Sequence, residues 1–396
     1  MTVLVPLDEA LDIMLAQANP LPGEDVPIEQ AYDRTLAAPV LANIASPRAD
    51  SSAMDGYAVR DADLAQLPAS LRVAGESFAG TAQPPALEAG EAVRIFTGAP
   101  VPDRADRVVI QENCSRDGDM VTVHEYGSGR HIRYAGHDFD EGDELLPAGT
   151  HLTARALVAA AGADLAQINL VRRPRVAILG TGDELVPPGE ARHRPGTIPE
   201  SLSPALAAMV GEAGGEVVQR VHLPDDIAVL EDWAREALTQ ADLVVITGGA
   251  SVGERDYAKI IWGEELDLLF SKVAIKPGKP MWLGRRGKTL VLGLPGNPTS
   301  ALVTARLFLV PLVSGMAGRK TGGALDWREG VAGTSFPANG SRETLTRAKW
   351  EGGRLVPLDS QDSSSQAMLA QADVLVRRPI DAPQAMPGDP LRYLDF

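Results

Sequence analysis

The chain has 396 residues, 44% of them hydrophobic and 23% charged, with a formal net charge of -16. These are the proportions of a globular protein too long for one ordinary core, and they predict two to four domains. The acidic balance excludes a general nucleic-acid or membrane surface, so an anionic ligand needs a local basic pocket. One cysteine, Cys114, excludes an internal disulfide and a cysteine-cluster metal site, and the six histidines show no HxxxH-type spacing. Any metal is therefore expected to be hard and oxygen-bound, such as Mg2+. The opening MTVLVPLDEALDIML carries acids where a secretory signal carries bases, and no apolar run is read as reaching the roughly 18 residues of a membrane span. The expectation is a cytoplasmic protein.

In chain order, residues 7–18 carry apolar positions at helical spacing, and prolines at 20, 22 and 27 end that helix. A second short helix is expected over 28–36. From Pro39 to Pro147 short apolar runs broken by Gly, Pro and Asp read as a mostly β domain. Residues 153–166 return to helix, an Ala-rich run suited to close packing against a neighbour or a second subunit. From Arg175 the pattern alternates: strand VAILG, a helix near 201–213, strand EVVQRVHL, a helix over 226–240, and strand DLVVITGG. Alternation of this kind predicts a parallel sheet covered on both faces, with ligands bound beyond the carboxyl ends of its strands. After Gly315 a Gly-rich link leads to short alternating runs that suggest a small terminal β domain.

The chemistry concentrates between Phe270 and Leu312. Lys272, Lys276 and Lys279 are three of only seven lysines in the chain, and KPGKP stiffens their loop. Next come a short apolar strand (289–294), the turn Pro295-Gly296-Asn297, and a helix expected to open at Pro298, Thr299 or Ser300. Its unpaired N–H groups would face the loop and favour an anion there. In TGGASVGERD, Gly248 and Gly249 allow close approach to a phosphate, Ser251 adds a hydroxyl, and Asp256 is placed to hold a divalent ion. Asp183 and Glu184 follow the strand ending in GTG and read as metal or hydroxyl ligands or as caps; the third glycine of a dinucleotide fingerprint is missing. Asp55-Gly56 reads as a turn or as part of a site. Thr97-Gly98 reads as an anion contact or a proline-rich turn.

Taken together, SSAMDGYAVR, TGAPVPDRADRVV, GTGDEL, ITGGASVGERDY, KVAIKPGKPMWLG and GLPGNPTSALV closely resemble the molybdopterin molybdenumtransferase family, which includes the E domain of gephyrin. The resemblance runs in order over nearly the whole chain. It implies an α/β plus β multidomain fold: a central parallel-sheet α/β domain of the molybdopterin-binding type, a mostly β insert, and a small C-terminal β-barrel-like domain. The corresponding boundaries are 1–22 and 173–316 for the α/β domain, 23–41 and 144–172 for a linking and dimerisation domain, 42–143 for the β domain, and 317–396 for the C-terminal domain. It also implies a homodimer with its site in the dimer cleft, and a transferase reaction in which adenylylated molybdopterin and molybdate give molybdenum cofactor and AMP with Mg2+ assisting. The molybdopterin adenylyltransferase would be an upstream partner.

Positions matching family functional residues are Asp55, Thr97, Asp138, Glu184, Asp225, Asp256, Lys272, Lys276, Lys279, Pro295 and Pro298. Asp138 and Asp225 rest on the resemblance alone. Glu184 and Asp256 would hold the metal. Two positions depart from the family pattern: Ser51 stands where an Asn is common, and Leu202 replaces the Asn of a segment after the GDEL loop. The alternatives are a molybdopterin adenylyltransferase, a class of short single-domain chains, and a non-catalytic gephyrin-like scaffold.

Overall fold

A computed structural model describes residues 4–248 and 257–396. They form two compact units, one from Met1–Glu24, Asp33–Ala37 and Asn169–Phe396 and the other from Asp25–Tyr32 and Ala38–Ile168.

In the first unit a six-stranded sheet runs in the order Glu216–Leu223, Arg175–Thr181, Leu243–Thr247, Thr289–Leu294, Trp282–Arg286, Asp267–Ser271. Its strands are apolar throughout because both faces are covered, and alternate residues point to opposite cores. Val176, Ile178, Leu243, Val245, Leu290 and Leu292 pack with helices Leu7–Leu15, Leu202–Glu212 and Pro298–Met316. Ala177, Leu179, Val244, Ile246 and Val291 pack with helix Ile227–Gln240 and with Ala258, Ile261 and Trp262.

Four strands are parallel as the alternating pattern implies, but the sheet is mixed. Trp282–Arg286 runs against its neighbours because Gly287 and Lys288, with Gly287 at φ 60°, close a two-residue hairpin into Thr289–Leu294. Asp267–Ser271 points the same way as the parallel set, so Lys272 emerges at the same end of the sheet as the Gly-rich turns.

The helix Pro298–Met316 corrects one expectation, since it is 19 residues long with a mean hydropathy of 1.5, enough by length and composition to cross a membrane. Of that window 83% is buried inside the protein, so the helix is a core element that protein, not lipid, covers. A π-helical segment, Ala305–Leu309, precedes Pro311, whose ring nitrogen has no proton to donate to the preceding turn. The first helix stops at Leu15, short of residue 18. The helix expected over 28–36 is a single 3-10 turn, Ile28–Gln30, because Asp33 takes a left-handed φ of 62° that a helix cannot contain.

The remaining residues of this unit build a second sheet in the order Ile275–Lys276, Glu343–Glu351, Val374–Arg378, Pro390–Asp395, Arg328–Val331, with Arg354–Pro357 also paired to Glu343–Glu351. A bridge between Ala332 and Leu355 joins its two ends around the core of Phe336, Ala348, Leu355 and Val376.

The second unit holds a six-stranded sheet in the order Arg107–Ile110, Gly56–Val59, Glu91–Ile95, Ala69–Ser77, Met120–Val123, Cys114–Asp117. Only Ala69–Ser77 and Glu91–Ile95 pair in parallel. Helix Ala154–Gly162 is capped by the Thr153 hydroxyl, which accepts from the Ala156 N–H, and ends before Asp164 at φ 60°. Val158 on it is 74% exposed.

Candidate active site

Three strands of the parallel set deliver their carboxyl ends to one place. Gly248, just past Leu243–Thr247, has φ 91°, and a Cβ there would lie 2.4 Å from the Thr181 carbonyl oxygen and 2.7 Å from its hydroxyl. A Cβ on Gly296 would meet the Gly248 Cα at 3.5 Å. The turns after Arg175–Thr181, Leu243–Thr247 and Thr289–Leu294 therefore touch through backbone, and Gly248 tolerates no side chain. The exposed Glu184 carboxylate folds back over Gly182, 2.8 Å from where a Cβ would stand. Gly182 is held in turn because its carbonyl accepts a hydrogen bond from His222 Nε2 at 2.9 Å. The Asp225 N–H donates to Asp183 Oδ1 at 3.1 Å, which brings the loop carrying Asp225 to the Asp183-Glu184 turn.

The lysine loop leaves the same end. The sequence assigns its stiffness to prolines and a glycine, and hydrogen bonds along both edges brace the loop further. Val5 N–H donates to Lys272 O and Ala274 N–H to Val5 O at 3.0 and 2.8 Å. On the other edge Ile275 and Lys276 pair in parallel with Glu343 and Thr344 of the terminal sheet. Val273 N–H also reaches Lys279 O at 3.0 Å. Gly278, at φ 109°, packs against the helix, since a Cβ would fall 2.3 Å from the Thr304 methyl. Lys276 and Lys279 are exposed and Lys272 half-buried, and none of the three ammonium groups has a hydrogen bond or ion pair among the described residues. A backbone fixed on both edges thus carries free ammonium groups, which reduces the ordering cost of binding an anion.

The helix opens at Pro298 with Asn297 as its N-cap, as the sequence predicts. The Asn297 side-chain oxygen accepts from no N–H of the first turn; its amide nitrogen donates to Ser363 Oγ at 3.3 Å. Beneath this helix start lies Arg347, fully buried. Its guanidinium donates to Thr299 Oγ1 at 3.4 Å and to the Ser360 and Asp362 carbonyls at 3.2 and 3.1 Å, while Nε has no partner. It makes no ion pair among the described residues, and burial pushes its pKa down, with the Asp362 charge opposing. A buried cation without a carboxylate partner is costly unless an anion completes it. The strand Glu343–Glu351 carries both ends of this arrangement, pairing with the lysine loop at Glu343–Thr344 and reaching Thr299 through Arg347.

Asp55, Thr97 and Asp138 belong to the second unit. Asp55 Oδ1 accepts from both the backbone N–H and the hydroxyl of Thr97, each at 2.8 Å. The Thr97 N–H foremost, then its hydroxyl, with a smaller pull from the Arg94 charge, hold the Asp55 carboxyl below the usual carboxylate range, against a small opposing effect of burial. Gly56 is not merely a turn residue, because a Cβ there would stand 2.0 Å from the Val109 carbonyl of the neighbouring strand. Asp138 lines an open cavity of about 940 Å3 that also includes Ser51 and Gly98.

Gly249, Ser251 and Asp256 lie outside the described residues. Leu202 is 6% exposed and part of the α/β core, so that position packs instead of presenting a polar group. The polar group of the segment is Glu200, which is buried; its carboxylate accepts from the N–H groups of Leu202 and Ser203 at 2.9 and 2.8 Å and from the Ser203 hydroxyl. The signal for it was an acid two residues before a helix. No local signal marks Arg347, whose neighbours in space come from distant parts of the sequence.

The fold and these ends define an α/β protein whose glycine turns gather at the carboxyl edge of a largely parallel sheet. Residues 5–163 match the family profile described as the MoeA N-terminal region, domains I and II, and residues 177–315 match that of a probable molybdopterin binding domain. A molybdopterin molybdenumtransferase of Haemophilus influenzae is 38% identical over 80% of this chain and 79% of its own. Molybdopterin molybdenumtransferase 2 of Mycobacterium tuberculosis is 34% identical over 94% of both chains. The crystal structure of a molybdopterin biosynthesis MoeA protein from Pyrococcus horikoshii superposes with a TM-score of 0.84 at 29% identity, covering 99% of this chain and 98% of that one. The chain belongs to the molybdopterin molybdenumtransferase family.

Proposed function

We propose that the protein inserts molybdenum into molybdopterin, taking adenylylated molybdopterin and molybdate and releasing AMP. The observation that carries this reading is the meeting of Thr181, Gly248 and Gly296 at one sheet edge, beside a lysine loop braced on both sides. Glycine at these contacts lets a pyrophosphate approach backbone amides closely. Molybdate is a dianion on a protein of net charge -16, so its binding must come from short-range donors. Lys276 and Lys279 supply exposed ammonium groups, and Arg347 with the N–H groups of the Pro298 helix supplies a buried positive counterpart.

Among the described residues no three His, Cys, Asp or Glu side chains cluster to hold a metal ion. The donor set at the strand ends is nevertheless oxygen-only, with Glu184 and Asp183 beside the loop of Asp225. That suits Mg2+, which takes one or two carboxylates and completes its shell with waters and phosphates. Glu184, with Asp256, would hold it, and bound there it would neutralise charge on the pyrophosphate that is cleaved. Asp55, its carboxyl held below the usual range and fixed by Thr97, would orient a donor group of the substrate. We further propose that the chain works as a cytoplasmic homodimer, consistent with the exposed Val158 on the Ala-rich helix, and divides into the four domains that the sequence suggests. The same molybdopterin adenylyltransferase that makes the adenylylated substrate would be its partner.

One assay decides the reaction: AMP released from adenylylated molybdopterin with and without molybdate. Molybdate-dependent AMP release is expected. Consumption of ATP with pyrophosphate release, or no AMP at all, would overturn it.

A further inference from the structure

Of the chain's seven phenylalanines, all among the described residues, Phe78 alone is exposed, at 45%. Its ring stacks on Phe96 with centroids 4.8 Å apart and planes 12° from parallel. Phe96 also meets the Arg94 guanidinium, 4.7 Å from its ring centre, and the same guanidinium lies 5.1 Å from the Tyr57 ring. A stacked pair of this kind presents a flat aromatic face to solvent, the shape that a planar heterocycle covers.

The pair is held in place beside a polar anchor. Arg94 donates to the Gly56 carbonyl at 3.0 Å and to Gln111 Oε1 at 2.6 Å, so it leaves Phe96 only by breaking two bonds. Phe96 N–H donates to Ser77 O at 3.3 Å, and Phe78 O accepts from the Thr81 N–H and hydroxyl at 3.2 and 2.7 Å. Rings on such backbone lose little order when a ligand arrives. The residue after Phe96 is Thr97, whose N–H and hydroxyl both hold Asp55 Oδ1. Asp55 Oδ2 has no hydrogen bond among the described residues, and on an ionised carboxylate it can only accept.

A flat face next to an open acceptor selects a planar ring whose edge carries donors. The pyrimidine side of a pterin has that edge, a ring N–H beside an exocyclic amino group. Adenine instead sets its one amino group between acceptor nitrogens, which a carboxylate repels. We propose that Phe78, backed by Phe96 and Arg94, is the stacking platform for the pterin ring of the substrate, and that Asp55 accepts from the N–H and amino donors of that ring. The proposal rests on the function given above and seats only the heterocycle, leaving the pyrophosphate at the glycine turns.

The test is titration of the full-length protein with neopterin, a soluble pterin without phosphate, with AMP and molybdate titrated in parallel. Phe78→Ala should raise the neopterin Kd about tenfold and leave the AMP and molybdate responses unchanged. Phe78→Leu keeps an apolar side chain but not a flat one, and should lose most of the same affinity. Phe78→Trp should restore binding and add an indole emission that neopterin quenches, a signal that a purely structural role for Phe78 would not produce. Tyr32→Ala removes an exposed aromatic elsewhere in the unit and should bind as the wild type does. Phe78 is exposed, so unchanged thermal midpoints are expected and would show that the variants fold. A wild type that does not bind millimolar neopterin, Phe78→Ala or Phe78→Leu variants that bind it unaltered, or a Phe78→Ala variant that weakens AMP instead would overturn the platform. Unaltered neopterin binding in Phe78→Ala, with a wild type that releases AMP, would sink the platform alone. Neopterin binding that depends on Phe78, with a wild type that releases no AMP, would sink only the reaction.

Discussion

The two ends of the central sheet are made from the same strands and treat their polar groups in opposite ways. At the amino end Asp242 takes both guanidinium N–H groups of Arg172 at 2.9 and 2.8 Å and the backbone N–H of Arg175 at 2.8 Å. Its own carbonyl accepts the Leu290 N–H, and its N–H donates to Arg175 O, so one residue clamps the starts of three strands. At the carboxyl end the same three strands run into Thr181, Gly248 and Gly296, where backbone meets backbone and the exposed carboxylates and ammonium groups face outward. Polar groups satisfied inside the protein give stability; those left open are available to a ligand.

That contrast predicts variants that separate activity from stability. The largest effect is expected for Gly248→Ala, which places a Cβ against the Thr181 carbonyl at a φ unsuited to alanine. AMP release should fall on the order of 100-fold or more as the turns are displaced. A wild-type rate would mean that the contact does not shape the site. Next is Asp242→Ala at the opposite end, where about 2 kcal/mol of stability should be lost, seen as a lower denaturant midpoint. Its AMP release per folded molecule should stay unchanged, and a drop there would show that the amino end is not purely a clamp.

Lys276→Ala and Lys279→Ala should raise the molybdate needed for half-maximal activity about tenfold each, with no change in thermal midpoint because both side chains are exposed. If neither variant responds differently to molybdate, these lysines serve another anion. The smallest effect is expected for Thr97→Ala, which removes the hydroxyl donor to Asp55 but keeps the backbone N–H. The Asp55 pKa should rise toward the ordinary carboxylate value, measurable by NMR of its carboxyl carbon. Because the folded pKa lies below the unfolded one, the interaction stabilises the protein above the unfolded value and is lost as pH falls through the folded one. The variant should therefore lose less stability on acidification.

Much of the α/β unit was legible because its signals are local. The run EVVQRVHL is the strand Glu216–Leu223, and the Asn-Pro turn marks the helix start at Pro298. The reversed strand Trp282–Arg286 was missed, although Gly287-Lys288 has the length of a hairpin turn, because alternation of strands and helices was extended one element too far. Arg347 and Glu200 were missed for different reasons. Arg347 acquires meaning only from Thr299 and the Ser360 and Asp362 carbonyls, which chain topology brings to it. Glu200 reads as an ordinary surface acid until the helix it caps buries it. Leu202 looks like a lost ligand by family pattern and like a core residue by packing; the helix buries it with Leu206 and Val210.

The braced lysine loop has a consequence for how the protein is made. Its first edge, Val5, leaves the ribosome long before the lysines do, whereas its second edge, Glu343–Thr344, follows them. A nascent chain ending at Met316 would already carry every glycine turn and all three loop lysines, yet would lack both the strand that straightens the loop and the arginine beneath the helix start. The loop is therefore braced on both edges only after Glu343–Thr344 has been synthesised and has paired with it, so a prematurely terminated product carries the lysines without their second brace.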